Sequence, residues 1–403
     1  MTVPPAPLSA AEAAQLERLL GRLVAARTMN PPGDERAAAD VVANAARDLG
    51  LPDPVWLGPR PERPSLLINL GSGRPRLLLA AHLDTMPAGE VASWSSDPWT
   101  MTRRDGRLCG LGTADMKGAV AAMLIAGARL AARPPRRGSI TLALTADEEA
   151  GSNEGMAWLC DHGAIEADAA AMTEPASVGE RSWDALYLAQ RGSAIVELVA
   201  TGRPGHSGEP MPATERAGWT FAHSLMALLH ADPFPDLVHP LDGTRPIVNV
   251  ATMIAGGEVA FAHPPELRAT IEVRVITGMT ERLVVDRLEA VLHEAGLGEL
   301  ARIRPLADRS WIDPGNTVTD PALLNAVETA MQSVLGRVPE PAVLPAGTDS
   351  SHLDALGIPA LPAVGPGSLA VAHRPDEFIR AEDLHIAVPL FETFARRYAE
   401  DSG

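Results

Sequence analysis

The residues able to do chemistry fall in a few short stretches. The apolar run Leu77-Leu-Leu-Ala-Ala81 ends in His82-Leu-Asp84, and Ile140–Leu144 ends in Thr145-Ala-Asp147-Glu148-Glu149. A third run, Ala169-Ala-Ala-Met172, leads into Thr173-Glu174. Asp115 lies in Gly110-Leu-Gly-Thr-Ala-Asp-Met-Lys-Gly118, a glycine-flanked carboxylate in front of a helix, and His373 follows the glycine-rich Gly365-Pro-Gly367. Singly, each has an ordinary explanation: a polar turn for the acidic triplet, a helix cap for Asp115, a satisfied polar residue for His82. Together they put a histidine or a carboxylate at the end of every candidate parallel strand. Two histidines and several carboxylates, without thiolates, suit zinc, cobalt or manganese. Their number exceeds one tetrahedral site and suggests two metals sharing a bridging carboxylate. Asp84, two residues past His82 and pointing the same way, could supply the carboxylate that a metal-ligated histidine needs on its other ring nitrogen.

Other chemistries fail on inspection. Gly205-His-Ser207-Gly-Glu209 misses the nucleophile-elbow pattern because Glu209 stands where glycine is required. Neither a phosphate-binding loop ending in Lys-Ser/Thr nor a dinucleotide fingerprint occurs. The net charge of −17 argues against a nucleic-acid or anionic-membrane partner and is compatible with holding divalent cations. Cys109 and Cys160 show no paired spacing, so neither a disulfide scaffold nor a thiolate zinc site is indicated, and a reducing compartment is expected. Met1–Leu8 lacks a basic region followed by an apolar one, and no run approaches the roughly 18 apolar residues of a membrane span. The expectation is a cytoplasmic protein.

These residues need a scaffold that gathers strand ends. Ser9-Ala-Ala-Glu12 is a capping box opening a helix toward Arg27, and a second helix is predicted over Glu35 to Leu49. Strand-length apolar runs at Leu77–Ala81, Ile140–Leu144, Ala169–Met172 and Ile358–Val364 alternate with helical segments at Met116–Arg133 and Glu154–Cys160. Continuous apolar strands alternating with helices imply an α/β fold with a mostly parallel sheet covered on both faces, whose sites form beyond the carboxyl ends of the strands. Pro52–Pro64 reads as loop. Between Arg191 and Arg302 the texture changes to alternating strands (Ala194–Ala200, Pro246–Ile254, Glu266–Ile276) around two helices (Thr214–Leu229, Thr280–Ala295), an antiparallel α+β pattern. The expected organisation is therefore a first domain over 1–190 and 303–403, interrupted by a second over 191–302.

From Arg27-Thr-Met-Asn-Pro-Pro-Gly33 to Asp376-Glu377 the chain resembles the co-catalytic zinc metallopeptidase family that contains acetylornithine deacetylase, succinyl-diaminopimelate desuccinylase, glutamate carboxypeptidase and aminoacylase. Gly110–Gly118, Thr145-Ala-Asp-Glu-Glu149 and Gly365-Pro-Gly-Ser-Leu-Ala-Val-Ala-His-Arg-Pro-Asp-Glu377 most resemble the acetylornithine deacetylase branch. The resemblance implies a three-layer catalytic domain interrupted by a lid and dimerisation domain. It implies that His82, Asp115 and Glu174 hold one metal, zinc first among the candidates, and that Asp115, Glu149 and His373 hold the other. Glu148 would be the general base, Asp84 would orient His82, and a cis peptide is expected at Asp115-Met116. In the inserted segment, His206 matches the histidine that stabilises the oxyanion, often from the partner subunit of a homodimer. Asn249 and Arg274 match substrate-binding positions, as does Gly365 in the catalytic domain, and Arg274 suits an α-carboxylate. The chain departs from the family at Cys109, where an aromatic residue is common, at Glu272, which replaces an aspartate, and at Gln190-Arg191-Gly-Ser193.

The activity this implies is removal of an acyl group from an N-acyl-L-amino acid, with N-acetylornithine the foremost substrate. A dipeptidase or carboxypeptidase of the same family is the alternative. A catalytically silent metal-binding scaffold would predict a missing ligand or base, and none is missing. A peptide-binding module would leave the carboxylate cluster unexplained.

Overall fold

Apolar residues without alternation belong in a strand covered on both faces. In the computed structural model, which describes residues 6–306 and 311–401, Leu77 through His82 are each 3% exposed or less. Their strand, Arg76–His82, lies between Ser139–Thr145 and Ala169–Met172 and runs parallel to both; Ala360–Leu361 continues the parallel set beyond Ala169–Met172. On the other edge Ser65–Gly71 and Val55–Leu57 add antiparallel, which completes a six-stranded sheet. Two expectations need correction. Pro52–Pro64 is not all loop: Val55–Leu57 forms an exposed edge strand there. The Ile358–Val364 strand shrinks to Ala360–Leu361, because Pro359 and Pro362 on either side have no N–H to give a ladder.

The helices follow local chemistry. Ser9 and Glu12 cap Ala10–Ala25 reciprocally, and Arg36–Asp48 follows. Gly118–Ala132 is apolar nearly all round and is buried against the C-terminal helix Ala381–Asp401. It starts two residues later than predicted, because Thr113–Lys117 forms a π turn in which Asp115 and Met116 are non-helical. The Asp115-Met116 peptide is cis. Among the described residues no helix is long and apolar enough to cross a membrane, and both cysteines are free.

The chain divides into two units. One comprises residues up to Ala189, Thr317–Leu344 and the chain from Thr348 onward; the other comprises Gln190–Asn316 with Pro345–Gly347. The second is built on an antiparallel sheet in the order Ile247–Ala255, Glu266–Val275, Gly192–Thr201, Ala301–Pro305, with Trp311–Ile312 also pairing to Gly192–Thr201. Residue 302 falls inside one of these strands, so the ladder carries the unit past it. Helices Ala217–His230 and Glu281–Glu294 close a core of Val196, Leu198, Ile271, Val273, Leu228 and Leu288. Ile247–Ala255 is an edge strand, with Met253 and Ile254 exposed.

Candidate metal centre

The carboxyl ends of the parallel strands converge, as open α/β sheets require of their ligand sites. Arg76–His82 delivers His82, Ser139–Thr145 leads into the turn bearing Glu148 and Glu149, and Ala169–Met172 leads to Glu174. Asp115 arrives on the π turn before the Gly118–Ala132 helix. Asp115 Oδ1 lies 3.2 Å from His82 Nε2 and Oδ2 lies 3.1 Å from His373 Nε2. Glu174 Oε1 is 3.7 Å from His82 Nε2, and Glu149 Oε1 is 3.2 Å from His373 Nε2. Ligand atoms of His82, Asp115 and Glu174 all fall within 4.8 Å of one another, and so do those of Asp115, Glu149 and His373. Metal–ligand bonds of about 2.0–2.2 Å allow that spread around an ion. Two oxygen- and nitrogen-donor triads joined by one carboxylate fit two divalent cations.

The protonation pattern agrees. The Nδ1–H of His82 donates to the backbone oxygen of Asp84 at 3.0 Å, which leaves Nε2 facing the carboxylates. Burial opposes charge on His82, yet Glu174, Asp115 and Asp84 raise its pKa well above the imidazole value. The carboxylates of Asp115 and Glu149 push His373 up to about 11. Burial drives Glu148 and Glu174 well above the ordinary carboxylate range, opposed by His82 and reinforced for both by Asp349 and Glu149. Asp115 stays below that range despite burial, because both histidines donate to it. Such a cluster of neighbouring acids and protonated imidazoles holds protons in the place of cations, and divalent ions reverse it by taking the imidazole lone pairs and the ionised oxygens.

Asp84 organises the carboxylate turn. Its Oδ1 accepts from Glu148 N (3.2 Å), and its Oδ2 accepts from Glu149 N (3.1 Å) and Asn30 Nδ2 (2.9 Å). Asp147 and His373 both have left-handed backbones, φ 64° and 57°, a conformation that non-glycine residues hold only where surroundings fix it. Gly365 is buried beside Glu174 and donates its N–H to the Glu174 carbonyl at 2.8 Å. A Cβ there would meet Thr173 O at 1.8 Å, so close strand approach requires glycine at this position.

Other residues of this site are given no role by the sequence, although Asp147 and Glu377 lie within its motifs. Glu377 accepts from the N–H groups of Gly112, Ala114 and Asp115, which seats the loop carrying Asp115. Asp349 is buried; it accepts from Ser152 Oγ and, at 3.5 Å, from Thr145 Oγ1, gripping the turn at both ends. Asp147 is bound by Asn30 and Arg63.

His206, Asn249 and Arg274 belong to the second unit. His206 is exposed and accepts from Gly208 N at 3.1 Å. Asn249 Nδ2 donates to Glu272 Oε2 (3.2 Å), Arg274 Nε pairs with Glu272 Oε1 (2.9 Å), and Ser193 Oγ donates to the same oxygen at 3.1 Å. Glu272 therefore gathers Asn249, Arg274 and Ser193. Arg191 lies close to this group: burial and the Arg274 charge lower its pKa, and its Nη2 donates to Arg245 O.

Comparisons with known proteins point the same way. Residues 78–397 match the model of peptidase family M20/M25/M40. The chain is 29% identical over 333 residues to a succinyl-diaminopimelate desuccinylase of Xanthomonas campestris pv. campestris, covering 81% of this chain and 85% of the relative. Human carnosine dipeptidase 1 shares the fold with a TM-score of 0.73 and 17% identity, covering 98% and 100% of the two chains. The YXEP protein of Bacillus subtilis, described as a dinuclear metal binding peptidase, gives a TM-score of 0.66 at 16% identity and covers 96% and 98%.

Proposed function

This chain belongs to peptidase family M20/M25/M40 and is a metal-dependent hydrolase of amide bonds, and on that premise we propose that it releases the acyl group of an N-acyl-L-amino acid. The observation that carries the reading is the pair of triads sharing Asp115, with Glu148 beside Glu149 on the turn that Asp84 holds.

Two divalent ions held there, zinc foremost for this donor set, would supply Lewis acidity that polarises the acyl carbonyl and lowers the pKa of water far below its bulk value, toward about 7. His82, Asp115 and Glu174 would hold one, and Asp115, Glu149 and His373 the other. Asp84 keeps His82 in the tautomer that presents Nε2. Glu148 takes a proton from the attacking water as the carbon–oxygen bond forms, then delivers it to the nitrogen as the carbon–nitrogen bond breaks. His206 donates to the tetrahedral oxyanion, a contribution for which one well-placed donor supplies about 3 kcal/mol. Arg274 and Asn249, both tied to Glu272, bind the amino-acid carboxylate, and Gly365, beside Glu174, is a further substrate-binding position. We also propose a homodimer formed through the inserted unit. Its edge strand presents Met253 and Ile254, and helix Ala217–His230 presents Met226 and Leu229, all exposed; edge strands with apolar faces pair readily.

N-acetylornithine is the substrate favoured by the sequence motifs. A second reading, an N-succinyl or other dicarboxylic acyl group, is favoured by Arg191, which immediately precedes Gly192 and Ser193, the residues paired across the ladder with Val275 and Arg274, since two neighbouring guanidiniums suit a substrate with two carboxylates. It accords with the desuccinylase relatives. The test is free-amine release by zinc- or cobalt-reconstituted protein, with a chelated control, across N-acetylornithine, N-succinyl-diaminopimelate, other N-acyl amino acids and dipeptides. Chelator-sensitive turnover fastest on an N-acyl amino acid supports the reading, and the best acyl group decides between its two forms. Preference for dipeptides moves the specificity; no turnover with two metals bound refutes hydrolysis of this class.

A further inference from the structure

Behind the carboxylate turn lies a buried ion network that the chemical steps do not use. Arg63, from the proline-rich segment before strand Ser65–Gly71, is buried and directs Nε and Nη2 to the two oxygens of buried Glu35, at 2.9 and 2.7 Å. The same Nη2 lies 2.9 Å from Asp147 Oδ1. Asn30 spends its amide on two carboxylates at once, 3.0 Å to Asp147 Oδ1 and 2.9 Å to Asp84 Oδ2. Asp147 also accepts from Glu154 N at 3.0 Å, and its own N–H donates to Glu35 Oε1 at 3.3 Å. Gly33, at φ 79°, leaves the space the guanidinium fills: a Cβ there would fall 2.3 Å from Arg63 Cζ.

The path from Arg63 to the reacting groups is short. Asp147 immediately precedes Glu148 and Glu149, and its left-handed backbone sets the direction in which they leave the strand. Asp84, at the far end of the Asn30 bridge, accepts the N–H groups of those glutamates and backs His82. Three buried carboxylates, Glu35, Asp84 and Asp147, thus share one guanidinium and one amide, and the orientation of each depends on the others. We propose that Arg63, acting through Asp147 and Asn30, is a positioning residue that fixes Glu148 and Glu149 relative to His82. The proposal rests on the reading of Glu148 and Glu149 as base and ligand. It requires the planar fork, not merely a positive charge, because a lysine cannot span both Glu35 oxygens and Asp147.

The test compares Arg63→Lys, Asn30→Ala and the control Arg282→Ala, an exposed arginine that pairs with Asp286. Each is assayed for kcat and KM, for the visible absorption of the cobalt-substituted protein and for melting temperature. Arg63→Lys is expected to lower kcat roughly 10- to 100-fold and to alter the cobalt spectrum, the usual reach of a residue behind the ligands. KM should move less than about threefold, since the substrate-binding groups are elsewhere. Asn30→Ala should do the same, which keeps the proposal testable if Arg63→Lys does not fold, and Arg282→Ala should match wild type. A folded Arg63→Lys or Asn30→Ala with wild-type kcat and cobalt spectrum, or with only a lower melting temperature, overturns the proposal. If the wild type turns over no N-acyl substrate, the functional reading fails, while the cobalt spectra still decide whether Arg63 positions the turn.

Discussion

Replacing Asp84 with asparagine changes one oxygen into an amide nitrogen and nothing else in volume, so its effect can be worked from the contacts. Oδ2 serves two donors, Asn30 Nδ2 and Glu149 N, whereas Oδ1 serves Glu148 N and lies 3.5 Å from His82 Nδ1. The substituted side chain keeps its oxygen where two donors need it, which turns its NH2 toward Glu148 N–H and the His82 ring. One hydrogen bond to a charged acceptor is lost, worth about 1.5–3 kcal/mol, and two donors then face each other. The remaining bonds weaken as the charge disappears. We therefore expect a loss of about 2–4 kcal/mol, which at 1.36 kcal/mol per tenfold is roughly a 30- to 1000-fold fall in kcat or metal affinity. Competition with a chromogenic chelator measures affinity, and amine release under saturating metal measures kcat. An Asp84→Asn protein that is folded and within about threefold of wild type in both would refute the reasoning about the turn.

Three further outcomes are expected. Metal binding to apo-protein at pH 7 should release protons, because His373, raised to about 11, and His82, also raised, must give up the Nε2 proton; calorimetry in buffers of different ionisation enthalpy counts them. The sign follows from a raised pKa: the apo-state pairing of His373 with Asp115 and Glu149 is present below about 6.5 and is lost as pH climbs toward about 11. Apparent metal affinity should therefore rise with pH, and absence of proton release contradicts the ligand assignment. Gly365→Ala should destabilise the fold by at least about 2 kcal/mol in urea titration, through overpacking against Thr173 O. Arg274→Met should raise KM for an N-acyl amino acid with a smaller effect on kcat, and an unchanged KM removes Arg274 from the carboxylate site.

The strand ends were legible because chemistry and geometry coincide there: an apolar run that stops at a histidine or a glutamate marks both a buried strand and the edge where ligands collect. His82, Glu149 and Glu174 stand out on that ground, whereas Asp115 and His373 follow glycine-rich turns and join the ligand set through the family resemblance; the structure brings the ligand atoms of all five together in two groups that share Asp115. The supporting residues were not legible, since their partners are far along the chain. Asp147 N meets Glu35 across 112 residues, and Gly112 N meets Glu377 across 265. Arg63 lies among prolines that read as loop, and Asp349 stands before a helix of only five residues with no motif around it. Gly33 was a signal that went unread, a glycine whose missing side chain makes room for a guanidinium. The Ile358–Val364 run was overextended because its hydrophobicity outweighed two prolines in the reading, whereas in the sheet the missing N–H groups decide.

The central claim, that Glu148 transfers the proton at a two-metal centre, is tested most directly by Glu148→Gln assayed for bound metal and turnover together. The account predicts two equivalents of metal bound and a fall in kcat of about 10²- to 10⁴-fold, the contribution of a positioned general base. A Glu148→Gln protein that binds both metals and keeps kcat within about tenfold of wild type would contradict it, because proton transfer would then lie with another group.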